Sequence, residues 1–97
     1  MKFEWDDTKN KFNIRKHGID FNDIPELFNY PMLTLLDDRG DYEENRWISI
    51  GLLSGLVGVV VYTELEGNII RIISARKATK REVKGYAERV KNEFGTS

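Results

Sequence analysis

The sequence predicts an α+β fold in which two N-terminal helices precede a four-stranded antiparallel β-sheet and a C-terminal helix closes the chain. Three observations support this prediction: helix start and stop signals before residue 31, four runs rich in β-branched residues in the middle, and a capped amphipathic segment at the end. A chain of 97 residues has no room for two independent hydrophobic cores. We therefore expect one domain over residues 1–97.

The first helix is predicted to follow Asp6, a suitable N-cap, and to continue to about His17. Gly18 comes next, where helices commonly end in a left-handed residue. One face of this helix carries three polar side chains spaced at i, i+4 and i+7: Lys9, Asn13 and Lys16.

A second, shorter helix is predicted from roughly Asp23 to Asn29. Pro25 belongs in its first turn, because deeper in an α-helix proline lacks the amide hydrogen and clashes with the preceding turn. That placement favours Asn22 over Asp20 as the N-cap.

The four predicted strands are Met32–Leu36, Arg46–Leu53, Val57–Leu65 and Ile69–Ser74. The breaks between them carry the turn signals DDRGD, SG and EGN. The later gaps are short, so these strands should form antiparallel hairpins, since parallel pairing needs a long crossover. The third run is apolar on both faces, which predicts a central position in the sheet.

The last helix should begin with a capping box, because Thr79 is followed three residues later by Glu82. An apolar stripe follows at helical spacing: Val83, Tyr86 or Ala87, Val90 and Phe94. Gly85 interrupts this helix at a cost of about 1 kcal/mol relative to alanine, which suggests a close approach by another backbone.

Charge is distributed unevenly along a chain whose net charge is −1. Residues 37–44 hold five acids and one arginine, whereas the segment from Arg71 to Tyr86 holds six cationic side chains and a single acid. A uniformly basic nucleic-acid coat is excluded, but a local field can still attract an anion to one cleft.

Composition also limits the chemistry and the location. The chain has no cysteine and one histidine, so disulfides and thiolate metal sites are excluded, and we expect neither a metal nor another cofactor. The N-terminus lacks a signal-peptide pattern, and the longest apolar run is far below the roughly 18 residues that cross a bilayer. A cytoplasmic protein is expected.

The candidate site is the cationic junction between the last strand and the last helix. Its residues are Arg71 in the strand, Arg76 and Lys77 in the connection, and Lys80, Arg81 and Lys84 in the helix. Forked arginine donors match phosphate oxygens, so a polyanion could bind here. The helical cations have the alternative interpretation of ordinary solvated residues. Arg71 interrupts an isoleucine-rich strand, so it should either pair with an acid such as Glu64 or line an open concave face.

His17 and Tyr86 are the other chemically versatile side chains. His17 also has a structural explanation, because a cation in the last turn favours the helix dipole. Tyr86 has one as well, since its ring can pack with the hydroxyl at the edge of the core.

Taken together, three segments resemble the BrnT-type toxins: EWDDTKNKFNIRKHGIDF, RWISIG and YTELEGNIIRIISARKATKREVKGY. The similarity runs nearly end to end, and the joint occurrence of KHG and RIISAR at the right separation is the specific part. The resemblance implies a RelE-like fold and the toxin half of a type II toxin–antitoxin pair. It also implies a metal-independent ribonuclease, in which a ribose 2′-hydroxyl attacks the adjacent phosphate.

The resemblance implies the positions of the site, and chemistry suggests the roles. Arg71 and Arg76 would hold the scissile phosphate. The general base would be Lys16 or His17, with Glu64 a further candidate, and the leaving oxygen would take its proton from Tyr86 or His17. The remaining cations would bind RNA: Lys9, Lys77, Lys80, Arg81 and Lys84.

The implied partner is a BrnA-like antitoxin with a ribbon-helix-helix domain, encoded beside the toxin. It would cover the basic face, and the toxin–antitoxin hetero-oligomer would contact promoter DNA through the antitoxin. Two alternatives stay open: a non-catalytic module that modulates DNA binding by the antitoxin, and a ParE-like toxin that acts on a protein.

Overall fold

The computed structural model describes residues 1–40 and 44–94, which form two α-helices, one 3₁₀ helix and five strands. In chain order the elements are β1 (Lys2–Glu4), α1 (Asp7–His17), the 3₁₀ helix (Phe21–Asn29), β2 (Met32–Asp37), β3 (Arg46–Leu53), β4 (Leu56–Leu65), β5 (Ile69–Lys77) and α2 (Lys80–Phe94). The strands form one mixed sheet in the order β1-β5-β4-β3-β2. Residues 41–43 of the acidic run lie outside the described residues, and the first of them is the last residue of the predicted DDRGD turn.

The prediction of a four-stranded, wholly antiparallel sheet is wrong in one strand. β1 lies parallel to β5, with Lys2 opposite Ile69 and Glu4 opposite Arg71. β1 has three residues, too few to show the alternating pattern of a strand, and its partner β5 is distant in sequence. No local signal therefore predicts the pairing. β2 to β5 pair antiparallel, and β4 is central, as predicted.

β5 is longer than predicted and contains an irregularity. It continues through Lys77 rather than ending at Ser74, so Arg76 and Lys77 lie in the strand, with Arg76 opposite Val59. The pairing register shifts between Val61 and Tyr62, which leaves Ile73 as the extra residue of a β-bulge. The prediction that Arg76 and Lys77 lie in a connection is therefore wrong, because cationic side chains are tolerated where one sheet face is open.

The first helix is confirmed at both ends. The Asp6 carboxylate accepts hydrogen bonds from the backbone amides of Thr8 and Lys9, at 2.8 and 3.1 Å. Gly18 has φ 73° and donates its amide to the Ile14 carbonyl.

The second helix begins earlier than predicted and is a 3₁₀ helix. Asp20, not Asn22, is its N-cap and accepts the Asn22 amide at 2.9 Å. A 3₁₀ helix bonds each amide to the carbonyl three residues back, so the α-helical clash four residues back does not exclude Pro25 from its interior.

The hydrophobic core lies between the 3₁₀ helix and one face of the sheet. The helix contributes Phe21, Ile24 and Leu27, each 0% exposed. The sheet contributes Leu53, Val60, Tyr62, Ile70, Ile72 and Ala75. Because side chains alternate along a strand, the residues between these point to the opposite face.

α2 has the predicted capping box. The Thr79 amide donates to Glu82 Oε1 at 2.8 Å, and the Glu82 amide donates to Thr79 Oγ1 at 3.2 Å. Of the predicted stripe, Tyr86 is buried and Val90 is half-buried, whereas Val83 and Ala87 are exposed; the Phe94 side chain lies outside the described part of the chain.

Gly85 does not mark a close backbone approach. It is exposed, and a β-carbon added there would meet no described atom within 4 Å. Packing therefore does not explain a glycine at this position.

Candidate functional site

A cavity of about 120 Å³ opens on the sheet face opposite the core. Ile48, Val59 and Val61 form its apolar floor, since they are cross-strand neighbours on β3 and β4. Four polar side chains from three parts of the chain surround this floor: His17 at the end of α1, Arg39 after β2, and Ser74 and Arg76 in β5. The sheet thus presents several cationic or hydrogen-bonding groups to one small space.

Arg76 is the most firmly oriented of these groups. Its guanidinium binds both carboxylate oxygens of Glu82, at 2.8 and 2.9 Å, and Nη1 also donates to the Lys77 carbonyl at 3.1 Å. The same Glu82 Oε1 accepts the Thr79 amide. The capping box of α2 therefore holds the arginine, which still leaves 41% of its side chain exposed.

The Arg76–Glu82 pair shifts the titration of both side chains. The hydrogen bonds from Arg76 lower the pKa of Glu82 from 4.5 to about 2, against the opposing effect of burial. Hydrogen bonding to Glu82 raises the pKa of Arg76, although burial and the positive charge of Arg39 oppose the rise. Arg76 and Glu82 are both ionised at neutral pH. The positive charges of Arg76 and Arg39 repel each other across the cavity.

Arg39 is a site residue that sequence analysis missed. Its guanidinium binds Asp37 in a forked arrangement, Nε to Oδ1 at 2.8 Å and Nη2 to Oδ2 at 3.0 Å. The Asp37 side chain is 1% exposed and that of Arg39 is 67% exposed. The side-chain hydrogen bonds from Arg39 lower the pKa of Asp37. The sequence signal for this residue is a single arginine inside an acidic run, a pattern that also fits an ordinary turn.

His17 reaches the cavity from the last turn of α1. The helix is held against β5 by Asn13, which donates to the Ile19 carbonyl at 2.9 Å and accepts the Ala75 amide at 3.1 Å. This buried side chain places the helix end beside Ser74 and Arg76. Sequence analysis put Asn13 on the face with Lys9 and Lys16 but did not assign it this role.

A second groove, of about 470 Å³, adjoins the cavity between α1 and β5. It shares His17 and Ser74 with the cavity. The predicted candidates Lys9 and Lys16 line this groove. The structure therefore brings Arg76 and His17 together and places the two helical lysines next to them.

Arg71 and Glu64 lie elsewhere. Arg71 forms an ion pair with Glu4 of β1 at 2.8 Å, and each side chain is about half exposed. Its partner is therefore Glu4 rather than Glu64, which is exposed on β4 opposite Ile70. Five residues along β5 separate Arg71 from Arg76, roughly 15 Å at the usual rise of a strand, and Arg71 does not line the cavity.

Tyr86 and the basic face of α2 also stand apart from the cavity. The Tyr86 hydroxyl donates to the Pro31 carbonyl at 2.6 Å, and burial raises its pKa. This is the structural position anticipated as an alternative for this residue. The remaining predicted RNA-binding side chains are exposed: Lys77, Lys80, Arg81 and Lys84.

The described residues contain no group of three or more His, Cys, Asp or Glu side chains that could hold a metal ion. Within residues 1–40 and 44–94, no helix is both long and apolar enough to cross a membrane. The chemistry offered by the described cavity is therefore that of two arginines, a histidine and a serine over an apolar floor.

The chain is similar to known proteins in both sequence and structure. The family described as "Ribonuclease toxin, BrnT, of type II toxin-antitoxin system" matches residues 5–82. Among solved structures, the chain is similar to the 1.1 Å crystal structure of the Brucella abortus ribonuclease toxin, BrnT, with a TM-score of 0.67 and 29% identity. That match covers 82% of this chain and 99% of the Brucella chain. Comparison with curated proteins gives no match.

Proposed function

The chain belongs to the BrnT family of ribonuclease toxins of type II toxin–antitoxin systems, and from this premise we propose that it is a metal-independent endoribonuclease that inhibits translation and growth. The observation that carries the proposal is the convergence of Arg39, Arg76 and His17 on one cavity. Two guanidinium groups and an imidazole provide charge stabilisation and proton transfer without a metal.

The proposed reaction is attack by a ribose 2′-hydroxyl on the adjacent phosphorus. A bond forms between O2′ and phosphorus while the bond from phosphorus to O5′ breaks, which leaves a 2′,3′-cyclic phosphate and a 5′-hydroxyl. The phosphoryl group gains negative charge in the transition state. Arg76, oriented by Glu82, and Arg39, oriented by Asp37, would stabilise this charge without reorganising at the moment of reaction.

Two protons must move during this reaction. Of the side chains proposed for proton transfer, His17 is the one that shares the cavity with Arg76, so we assign it the 2′-hydroxyl proton. Lys16 faces the adjoining groove and is the candidate donor to the leaving O5′. Arg71, Glu64 and Tyr86 take no direct part in this scheme.

Cleavage of RNA by the purified protein in excess EDTA tests the activity. Replacing the ribose at the cleaved position by deoxyribose should abolish cleavage, because the nucleophile is then missing. Loss of activity on chelation, restored by magnesium or manganese, would contradict the metal-independent mechanism.

Arg76→Lys tests the site. A lysine keeps the charge but loses the forked contact, and removal of such a charge-stabilising group costs about 10²–10³ in rate. Lys77→Ala, in the neighbouring exposed position, is the matched control and should weaken RNA attraction only in a salt-dependent way. Circular dichroism is the control that checks whether both variants fold. Near-wild-type turnover of Arg76→Lys, with loss in Lys77→Ala, would show that the cavity is not the catalytic centre.

A toxin of a type II system has an antitoxin partner. We propose a BrnA-like, ribbon-helix-helix antitoxin encoded next to this chain, which covers the cationic cavity and contacts promoter DNA in a toxin–antitoxin hetero-oligomer. Co-purification of the neighbouring gene product and inhibition of RNA cleavage by it test this partner. Copurification without any RNA cleavage by the free toxin would instead favour a non-catalytic module.

A further inference from the structure

Phe12 occupies a position on α1 that the fold does not explain. Its side chain is 60% exposed, although it is a large aromatic residue in the middle of a helix. The Lys16 ammonium lies 5.8 Å from the centre of its ring, within the range of a cation–π contact. The ring is therefore held beside a positive charge rather than packed in the core.

The groove of about 470 Å³ extends from this ring to β5. Its floor includes Ile73, the extra residue of the β-bulge, and bulges commonly redirect a side chain near a functional site. Lys9 and Lys16 supply positive charge at the rim, and His17 is shared with the phosphate cavity. Aromatic, apolar and cationic surfaces thus meet next to the candidate reaction centre.

We propose that this groove binds the nucleobase of a nucleotide adjacent to the scissile phosphate, with the base stacked on Phe12. The inference rests on the proposed ribonuclease function and adds a base-binding subsite to it. The flanking lysines would contact the phosphates that lead into the cavity. Sites for single-stranded nucleic acid combine a cationic groove with exposed aromatic rings, and stacking there tolerates different bases.

Two features favour a nucleotide as the occupant of this groove: the groove is continuous with the phosphate cavity, and its rim is positively charged. Because His17 and Ser74 line both spaces, a chain that places its phosphate in the cavity must direct a neighbouring nucleotide into the groove or away from the protein. The two rim lysines complement a polyanion, and the apolar floor complements a base. An exposed phenylalanine adds nothing to a surface that binds its partner through charge alone, whereas it can stack on a base.

Binding of a fluorescently labelled 2′-deoxy oligonucleotide tests the proposal without requiring cleavage. The matched ligand is an abasic oligomer of the same length and charge. The wild-type protein should prefer the base-containing ligand by roughly 5- to 150-fold, the range expected for one stacked base. Phe12→Ala should remove most of this preference, and Phe12→Trp should retain it. Ile14→Ala, an exposed apolar position on the same helix outside the groove, should leave it unchanged.

Each other outcome has a definite meaning. Equal binding of the two ligands by the wild type, no binding of either, or an undiminished preference in Phe12→Ala overturns the subsite. Unchanged oligonucleotide binding by Phe12→Ala combined with loss of neutralisation by the antitoxin would make the groove a protein-docking surface instead. Wild-type RNA cleavage that Arg76→Lys abolishes and Phe12→Ala leaves unchanged would overturn the subsite but not the ribonuclease. Base binding that depends on Phe12, in a protein that does not cleave RNA, would support the subsite and overturn the ribonuclease function.

Discussion

The carboxylate of Glu82 has two roles, capping α2 and pairing with Arg76, and replacing it by glutamine separates them. Glu82 accepts the Thr79 amide at the start of α2 and also forms the forked ion pair with Arg76. Glutamine keeps a carbonyl oxygen that can complete a capping box, but it has no negative charge. The variant therefore tests the ion pair with the helix cap largely preserved.

The structure sets the size of the effect. The pKa of Glu82 falls from 4.5 to about 2 on folding, and a difference of this size corresponds to at most about 3–4 kcal/mol. The Glu82 side chain is 27% exposed and that of Arg76 is 41% exposed, so water screens part of the attraction. We expect Glu82→Gln to lower the free energy of unfolding by about 1–2 kcal/mol at pH 7.

The loss should depend on pH in a specific direction. Since the pKa of Glu82 is lower in the folded protein, its stabilisation is fully present above pH 4.5 and is lost as the pH falls towards 2. Urea denaturation of the wild type and Glu82→Gln at several pH values measures the difference in unfolding free energy. At pH 3 that difference should be roughly half its neutral value or less. Other titrating groups are common to both proteins and cancel.

A difference in unfolding free energy that stays constant from pH 7 to pH 3 would refute this reasoning. Arg76→Gln, alone and combined with Glu82→Gln, provides the control, because the double-mutant cycle isolates the coupling between the two side chains. RNA cleavage by Glu82→Gln should also decrease, since Arg76 loses the group that orients it. Full activity in the variant would show that the capping box does not position the arginine.

Three further substitutions test separate parts of the structure. Gly85→Ala should raise the free energy of unfolding by about 0.5–1 kcal/mol, because the site is open and helical; a lower denaturation midpoint would contradict this. Asn13→Ala should lower the free energy of unfolding by about 2–4 kcal/mol, because it leaves two backbone groups without their partner, and an unchanged midpoint would show that α1 is held otherwise. Tyr86→Phe should cost about 1 kcal/mol through loss of the hydrogen bond to Pro31 and leave the cleavage rate unchanged; a large loss of rate without loss of stability would restore its role as a general acid.

Local signals in the sequence predicted much of the fold. Asp6, Gly18, Thr79 and Glu82 act through backbone groups within a few residues, so their pattern alone indicated where helices begin or end. The antiparallel pairing of β3, β4 and β5 followed from the short connections between these later strands. β1 could not be predicted in this way, because its pairing depends on a strand at the other end of the chain.

The candidate site was less predictable for the same physical reason. Arg76 and His17 were identified by residue type, but the group that completes the cavity, Arg39, stands in an acidic run where its charge looked locally balanced. Arg71 was grouped with Arg76 because the sequence places both in one cationic junction, Arg71 in the last strand and Arg76 in the connection after it. In the folded sheet, Arg71 lies five positions from Arg76 along β5 and pairs with Glu4 of the neighbouring β1. The sequence alone does not show this pairing.

The contact between Asn13 and Ala75 has a consequence for how the protein is made. It joins residues 62 positions apart, and the ion pair between Glu4 and Arg71 spans 67 positions. Synthesis starts at the N-terminus, so His17 is made long before Arg76 and Glu82, and the cavity cannot assemble until the chain has been made as far as these residues. A chain that stops before Arg76 therefore lacks the cavity altogether.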